Sequence, residues 1–161
     1  MSKQNLETLR QIYEAFNERD IDRLMTGFHP DIQIRETQDL AYAAALLRVL
    51  GPRFVILSGG YSGHKEVRRL WETVWEISDW FNVKVDEYIE AGEYIIVDLV
   101  LHARAKGTGR EGEARTAHLW MMRDAKGIRL EVYPDKQQAL AAARMPDSNS
   151  DEREHGAGFA G

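Results

Sequence analysis

Three stretches in the second half of this chain are typical of strands in one antiparallel sheet. They are Tyr94 to Lys106, Glu113 to Arg123 and Ile128 to Tyr133. The residues before them have mostly helical patterns and could cover that sheet. A curved sheet wrapped by amphipathic helices forms a cone with an interior, and interiors of this kind hold small molecules. The sequence therefore predicts an α+β fold with a pocket.

Charge and composition exclude several kinds of partner. The formal net charge is −5, and lysines and arginines are scattered, so nucleic acid is a poor candidate. No apolar run approaches membrane-spanning length, so we do not expect a transmembrane helix or a membrane partner. The chain has no cysteine, and so no disulfide or thiolate metal site. The N-terminus MSKQNLETLR lacks the apolar centre of a secretory signal, so we expect a cytoplasmic protein.

The first half has helical periodicity with one short strand. Apolar positions from Leu6 to Phe16 recur at helical spacing, and Asp20 can cap a second helix. Further predicted elements include a strand at Asp31 to Thr37, a helix at His64 to Trp80 and, after the strands of the second half, a final helix at Asp135 to Ala143. At 161 residues a single domain is expected, formed by residues 1–145 and followed by a disordered tail at 146–161.

Three phrases of the sequence resemble a known family. IYEAFNERDIDRLMTGFHPDIQIRE is similar to the opening of SnoaL-like proteins, YSGHKEVRRLWE to their third helix and AHLWMMRDAKGIRLEVYPDKQQAL to their terminal hairpin. The resemblance covers residues 5–143 and implies the nuclear transport factor 2-like cone. Members include polyketide cyclases, ketosteroid isomerases and proteins with no assigned reaction. The segment Ala41 to Ser58 departs from the family pattern, and we expect it to be a helical insertion beside the cone mouth.

What the resemblance implies about function is coarse. We expect a small apolar or aromatic ligand and a cofactor-independent enzyme that performs isomerisation, cyclisation or a related proton transfer. The alternative is a non-catalytic module of the same shape that binds a hydrophobic ligand or dimerises. A homodimer is expected in either case, because each face of the sheet needs an apolar partner or water.

The terminal hairpin supplies most of the candidate site residues. A turn at Asp124 to Gly127 sets a register in which His118 lies opposite Tyr133 and Trp120 opposite Glu131. These residues would share a mixed face with Asp98, His102 and Arg104 of the preceding strand. If that face lines the pocket, the acid or base candidates are Asp98, His118 and Glu131, and the ligand-binding candidates are Arg104, Trp120 and Tyr133. If instead it is the convex face, the apolar face lines the cone, and the two alternatives are about equally favoured.

Two further candidates lie outside the hairpin. By the resemblance, Glu36 falls about where ketosteroid isomerases have their general-base carboxylate, although polar neighbours also suit an exposed position. The isomerase pattern includes a phenol from the first helix, and Tyr13 is one position away from the place where that phenol would align. Trp71 is the tryptophan of the third helix that we expect to reach a cavity, while aromatic stripes at helical spacing usually form core.

Two apparent cofactor motifs fail on context. Residues Gly107 to Gly112 spell a dinucleotide fingerprint, but a strand follows them, so no helix N-terminus could bind a pyrophosphate. The five histidines have no close metal-ligand spacing. We therefore expect neither a cofactor nor a metal.

Overall fold

The computed structural model describes residues 3–35, 48 and 60–144. The helices are α1 (Lys3–Glu18), α2 (Ile21–Thr26), α3 (Gly63–Glu76) and α4 (Lys136–Arg144). The strands are β1 (Phe28–Arg35), β2 (Gly60–Ser62), β3 (Ser78–Ala91), β4 (Tyr94–Ala105), β5 (Glu111–Arg123) and β6 (Lys126–Tyr133). None of the described helices is long and apolar enough to cross a membrane.

The six strands form one sheet in the order β2-β1-β6-β5-β4-β3. Strands β3 to β6 are a meander of antiparallel hairpins, while β1 lies parallel to β6 and antiparallel to β2. The sheet is curved and its helices lie against it, so the predicted α+β cone is confirmed. Bulges interrupt the ladder in β3 and between β5 and β6, and a bulge bends a strand and increases its twist.

The larger hydrophobic core lies on the inner face of the sheet, beneath α1, α2 and α3. Its contents include Leu9 and Phe16 from α1, Val67 from α3 and Leu99 from β4, each at most 4% exposed. A smaller cluster lies on the outer face, where Ala139 of α4 packs with Ile96, Ala117 and Leu119. The sheet is therefore apolar on both sides in its central strands.

Local sequence signals explain where the short α2 helix begins and ends. Asp20 accepts a hydrogen bond from the Arg23 backbone N–H at 3.1 Å, which confirms the predicted cap. Gly27 follows the last turn, and β1 begins at Phe28, earlier than predicted. Pro30 fits in this strand because the ladder to β6 is interrupted between Phe28 and Gln33, so its missing N–H breaks no bond there.

Helix α3 is shorter than predicted. It ends at Glu76 instead of Trp80, and the Ser78 hydroxyl donates to the Val74 carbonyl at 2.6 Å beyond its last turn. Trp80 and Phe81 then belong to β3, where they pair with Arg104 and Ala103. Pairing with β4 therefore overrides the helical periodicity of these aromatic residues. The predicted insertion at Ala41 to Ser58 and the tail at 146–161 lie almost wholly outside the described residues and stay predictions.

Candidate functional site

A cavity lies between α1, α3 and the inner face of the sheet. The empty space within it is about 640 Å³, including the part open to solvent. Its walls are mostly aliphatic and aromatic side chains from helices α1, α2 and α3 and strands β1, β3, β4, β5 and β6. Strands β3, β5 and β6 each contribute two alternate residues, as the two-residue period of a strand requires, among them Phe81 and Val83 of β3 and Leu130 and Val132 of β6.

Three polar atoms in this apolar wall form a continuous hydrogen-bonded chain. The Trp120 indole Nε1–H donates to the Tyr13 hydroxyl oxygen at 2.8 Å. That oxygen lies 2.7 Å from Nδ1 of His118. The three side chains are 1%, 6% and 8% exposed, respectively, and all three line the cavity. A hydrogen bond in such a water-poor setting is electrostatically strong.

Burial governs the protonation of both titratable members of the chain. Loss of hydration lowers the pKa of His118 from 6.5 to about 3, so the imidazole is neutral at physiological pH. Burial also raises the pKa of Tyr13 well above 10.0, while the bond from Trp120 acts in the opposite direction. The pair is therefore a neutral phenol hydrogen-bonded to a neutral imidazole, and together they can donate one hydrogen bond to an uncharged or anionic group.

Packing holds Trp120 in place. Its ring stacks on Phe28 with a centroid separation of 6.0 Å and an interplanar angle of 16°. On another side, a Cβ added at Gly127 would lie 2.5 Å from a carbon of the indole ring. Only glycine leaves room for the ring in this position.

Trp71 lines the cavity from α3. Its ring meets Phe16 edge to face at 5.1 Å. The indole nitrogens of Trp71 and Trp75 are buried without a hydrogen-bond partner among the described residues. Trp75 belongs to the core beneath α3.

The predicted register of the terminal hairpin is wrong by one residue. His118 pairs with Val132 and Trp120 with Leu130, whereas Tyr133 and Glu131 pair with Ala117 and Leu119. The turn centre is Asp124 and Ala125, both with positive φ, one position before the predicted centre. The earlier turn shifts the pairing of β5 with β6 by two residues relative to the prediction. The bulge at Ile128 reverses one residue of that shift, so the pairs beyond it are shifted by one residue. Because side chains alternate between faces, the remaining shift swaps the faces.

The register separates the predicted site residues into two groups. His118 and Trp120 line the cavity with Trp71, whereas Asp98, Arg104, Glu131 and Tyr133 do not. Asp98 pairs with Ala117 on the outer face, so the mixed face predicted for Asp98 and His118 together does not exist. Glu36 lies outside the described residues.

The outer-face residues pair with one another. Asp98 is 8% exposed and accepts from Arg115 at 3.2 Å, and Arg115 also reaches Asp86 at 2.9 Å. Glu131 binds Arg129 and accepts from the Tyr133 hydroxyl at 3.1 Å. Burial and the Glu131 carboxylate raise the pKa of Tyr133 to about 12, so that hydroxyl stays protonated. Each of these carboxylates therefore has a structural partner away from the cavity.

Further along the sheet, Arg104 and His102 also have partners on the outer face. Arg104 lies 3.3 Å from Asp79 and 3.8 Å from Glu111, and His102 binds Glu113. These contacts link β3, β4 and β5 at the sheet surface.

Tyr13 is the main site residue that sequence reasoning did not select. Its spacing from Leu9 and Phe16 places it on the buried face of α1, which is a signal for burial. Nothing local indicates that its hydroxyl forms a hydrogen bond with a histidine 105 residues later, since that contact depends on how α1 crosses the sheet.

Neither apparent cofactor motif becomes a site within the described residues. Residues Gly107 and Gly109 lie in the connection between β4 and β5, each with positive φ, so this stretch is a hairpin loop. No group of three or more histidine and carboxylate side chains in the described part of the chain could hold a metal ion.

Comparison with known families decides the classification. The model of the SnoaL-like domain matches residues 9–129, which are most of the chain. This chain belongs to the SnoaL-like family. The resemblance found in the sequence is thereby confirmed, together with its implication for the fold. A comparison with curated proteins found no match to the SnoaL-like chain.

Solved structures of the same fold include several nuclear transport factor 2-like proteins. One of unknown function from Burkholderia pseudomallei is 24% identical, with a TM-score of 0.66, 90% of this chain covered and 100% of the other. TerC, co-crystallised with polyporic acid, is 22% identical, with a TM-score of 0.65 and coverages of 89% and 100%. RV0760c from Mycobacterium tuberculosis, in complex with estradiol-17beta-hemisuccinate, is 17% identical, with a TM-score of 0.64 and coverages of 82% and 94%. At these identities the likeness is one of fold.

Proposed function

We propose that this SnoaL-like protein binds a flat, mainly apolar small molecule in the cavity and catalyses a cofactor-independent proton transfer of the isomerase or cyclase type. The observation that carries the proposal is the hydrogen-bonded pair of Tyr13 and His118 within an otherwise apolar wall. An apolar pocket with a few convergent polar groups is the usual form of a small-molecule site.

The chemistry assigned to the pair is stabilisation of an oxygen on the ligand. When a proton leaves a carbon next to a carbonyl, negative charge develops on the carbonyl oxygen. A preorganised hydrogen-bond donor in a water-poor cavity stabilises that charge strongly. Neutral His118 can provide such a donor. The base that removes the proton is assigned to Glu36 by the resemblance to ketosteroid isomerases alone.

Two related structures support the ligand class. TerC was crystallised with polyporic acid, and RV0760c with estradiol-17beta-hemisuccinate. Both are small organic molecules. We transfer from them only the expectation of a small ligand within the cone.

A second candidate function is ligand binding without catalysis. The described residues that line the cavity include no carboxylate, and burial holds the pKa of His118 at about 3. A base with that pKa removes protons poorly at neutral pH, because an effective general base has a pKa near the working pH. If Glu36 does not act in the cavity, the binding module is the better description.

Hydrogen–deuterium exchange of 2-tetralone in D₂O separates the two candidates. This flat ketone has acidic protons next to its carbonyl, and proton NMR follows their loss. We expect the protein to accelerate exchange, Glu36→Gln to reduce the acceleration by about 100-fold or more and His118→Gln to reduce it as well. The matched controls are Asp98→Asn and Glu131→Gln on the outer face, which we expect to exchange at the unsubstituted rate.

Each other result has a definite meaning. Binding of 2-tetralone without accelerated exchange would favour the binding module. Loss of exchange in Asp98→Asn but not in His118→Gln would contradict the assignment of the site to the inner face.

We also propose that residues 1–145 form the domain, that the protein forms a homodimer and that it is cytoplasmic. Helix α4 covers the apolar patch at Ala117 and Leu119, so a second copy would meet the remaining outer face, where ion pairs such as Asp98 with Arg115 lie. Sedimentation equilibrium measures the mass directly. A mass of one chain at micromolar concentration would contradict the homodimer.

A further inference from the structure

The hydrogen bonds among Trp120, Tyr13 and His118 have a direction that can be derived by counting protons. An indole nitrogen only donates, so Trp120 is the donor to the Tyr13 oxygen. The Tyr13 hydroxyl has one proton and lies 2.7 Å from Nδ1 of His118. One proton lies between these two atoms, and its position decides what His118 presents to the cavity.

We infer that these hydrogen bonds are donated in one direction, from Trp120 to Tyr13 and from Tyr13 to His118, and that they hold His118 as the tautomer protonated at Nε2. The site then presents an N–H donor to the cavity and selects apolar ligands that carry an acceptor oxygen, such as a carbonyl, phenolate or enolate. Trp120 is a positioning residue that acts through Tyr13. The ligand half of this inference rests on the proposed function.

The opposite direction would leave a buried proton without an acceptor. If Nδ1 held the proton, the Tyr13 oxygen would accept from both Trp120 and His118, and its own hydroxyl would need a further partner. No other partner of that hydroxyl is recorded among the described residues. An unmade hydrogen bond of a buried donor costs more than a made one contributes, so the one-way chain is favoured.

The second ring nitrogen is free to meet a ligand. His118 lines the cavity and keeps 8% of its surface exposed. Within the described part of the protein, Nε2 of His118 has no hydrogen-bond partner. Unlike the indole nitrogens of Trp71 and Trp75, which also have none, it is not fully buried. Its N–H therefore reaches the empty space. Because burial keeps the ring neutral, this single N–H persists across physiological pH.

The Trp120 ring, which provides the first donor, is held in place by its packing. Phe28 lies parallel to the Trp120 ring, and Gly127 leaves no space beyond it. The donor is thus fixed before a ligand arrives, which is what preorganised binding requires.

Long-range nitrogen–proton NMR of the ¹⁵N-labelled protein tests the tautomer directly. His118→Gln identifies the signals of this ring among the five histidines. In the unsubstituted protein we expect Nδ1 to be unprotonated and Nε2 protonated from pH 5 to 8. Tyr13→Phe removes the donor to Nδ1 and should give a mixture of both tautomers. Trp120→Phe should do the same, because without the indole N–H on its other side the Tyr13 hydroxyl can turn its proton away from Nδ1. Trp75→Phe removes a buried indole N–H that takes no part in these hydrogen bonds and should change nothing at His118.

Two probes of similar shape test the ligand class. 1-Tetralone carries one carbonyl oxygen, and tetralin is the corresponding hydrocarbon. We expect Trp120→Phe to weaken binding of 1-tetralone by about tenfold and of tetralin by less than twofold, since only the first uses the donor. Trp75→Phe should bind both probes as the unsubstituted protein does.

The outcomes separate this inference from the proposed function. An Nδ1–H tautomer in a protein that binds 1-tetralone overturns the inference and leaves the pocket standing. Failure to bind either probe overturns the proposed pocket and, with it, the ligand class. Equal loss of both probes in Trp120→Phe would show that Trp120 acts only by filling space, which overturns its positioning role.

Discussion

At the scale of single residues, Gly127 has the most specific spatial role. In the sequence it is typical of a turn glycine, because it follows Asp124, Ala125 and Lys126. In the structure the turn precedes it, and Gly127 instead lies against the face of Trp120. Its backbone N–H also donates to the Gly27 carbonyl at 2.9 Å, which joins the hairpin to the end of α2.

We therefore predict that Gly127→Ala destabilises the protein by about 1–3 kcal/mol, because the new Cβ overlaps the Trp120 ring and forces it or the strand to move. Urea unfolding measures the change. Gly60→Ala is the matched control, since among the described residues a Cβ there meets no atom closer than 3.7 Å, and it should alter the free energy of unfolding by less than about 0.5 kcal/mol. Equal effects of the two substitutions would contradict the steric explanation.

Tyr13 and His118 illustrate how two residues become a site only through tertiary contact. Each is ordinary by itself, one on the buried face of an amphipathic helix and the other in a strand. Their contact removes both from water, and that loss of hydration shifts both pKa values away from the ionised forms.

At the scale of elements, α4 matters because it covers the apolar centre of the outer face. Ala139 is fully buried there, while Ala141 of the same helix is exposed. Without α4, Ala117 and Leu119 would lie open to solvent or to another chain.

We predict that Ala139→Glu destabilises the protein by about 3 kcal/mol or more, because it places a charge without a partner between α4 and the sheet. Thermal or urea unfolding tests this. Ala141→Glu adds the same side chain to the exposed face of α4 and should be nearly neutral. A small effect of Ala139→Glu would mean that α4 does not stay on the sheet in solution.

At the scale of the whole molecule, the neutral state of His118 couples stability to pH. Folding lowers its pKa from 6.5 to about 3, so between these values the unfolded chain binds a proton that the folded protein excludes. The contribution of this group to the free energy of unfolding is therefore fully present above pH 6.5, and it is lost as the pH falls from 6.5 toward 3.

We predict that this one group contributes a slope of about 1.4 kcal/mol per pH unit to the free energy of unfolding between pH 6 and 4. The measurement compares urea unfolding of the unsubstituted protein and His118→Gln across this range, and the slope should be smaller in the variant by that amount. His102→Gln is the control, because His102 lies on the sheet surface with a side chain 45% exposed. Parallel pH profiles for the unsubstituted protein and His118→Gln would contradict the buried neutral state.

The sequence by itself determined the order of elements, the class of fold and the family. These depend on local signals that survive in any context, such as the Asp20 cap, the apolar face of α1 and the hairpins between long strands. Helix periodicity and hairpin sequence are short-range properties, and they predicted most elements to within a few residues of their observed ends.

Only the tertiary structure decided which residues face the cavity. One residue of register exchanges the two faces of a strand, and the bulge at Ile128 contributes to that register. The packing of Trp120 against Phe28 joins parts of the sequence that lie far from each other, in β5 and β1. No local pattern contains that information, so the sequence analysis placed Asp98 and Glu131 on the same face as His118, and it did not select Tyr13.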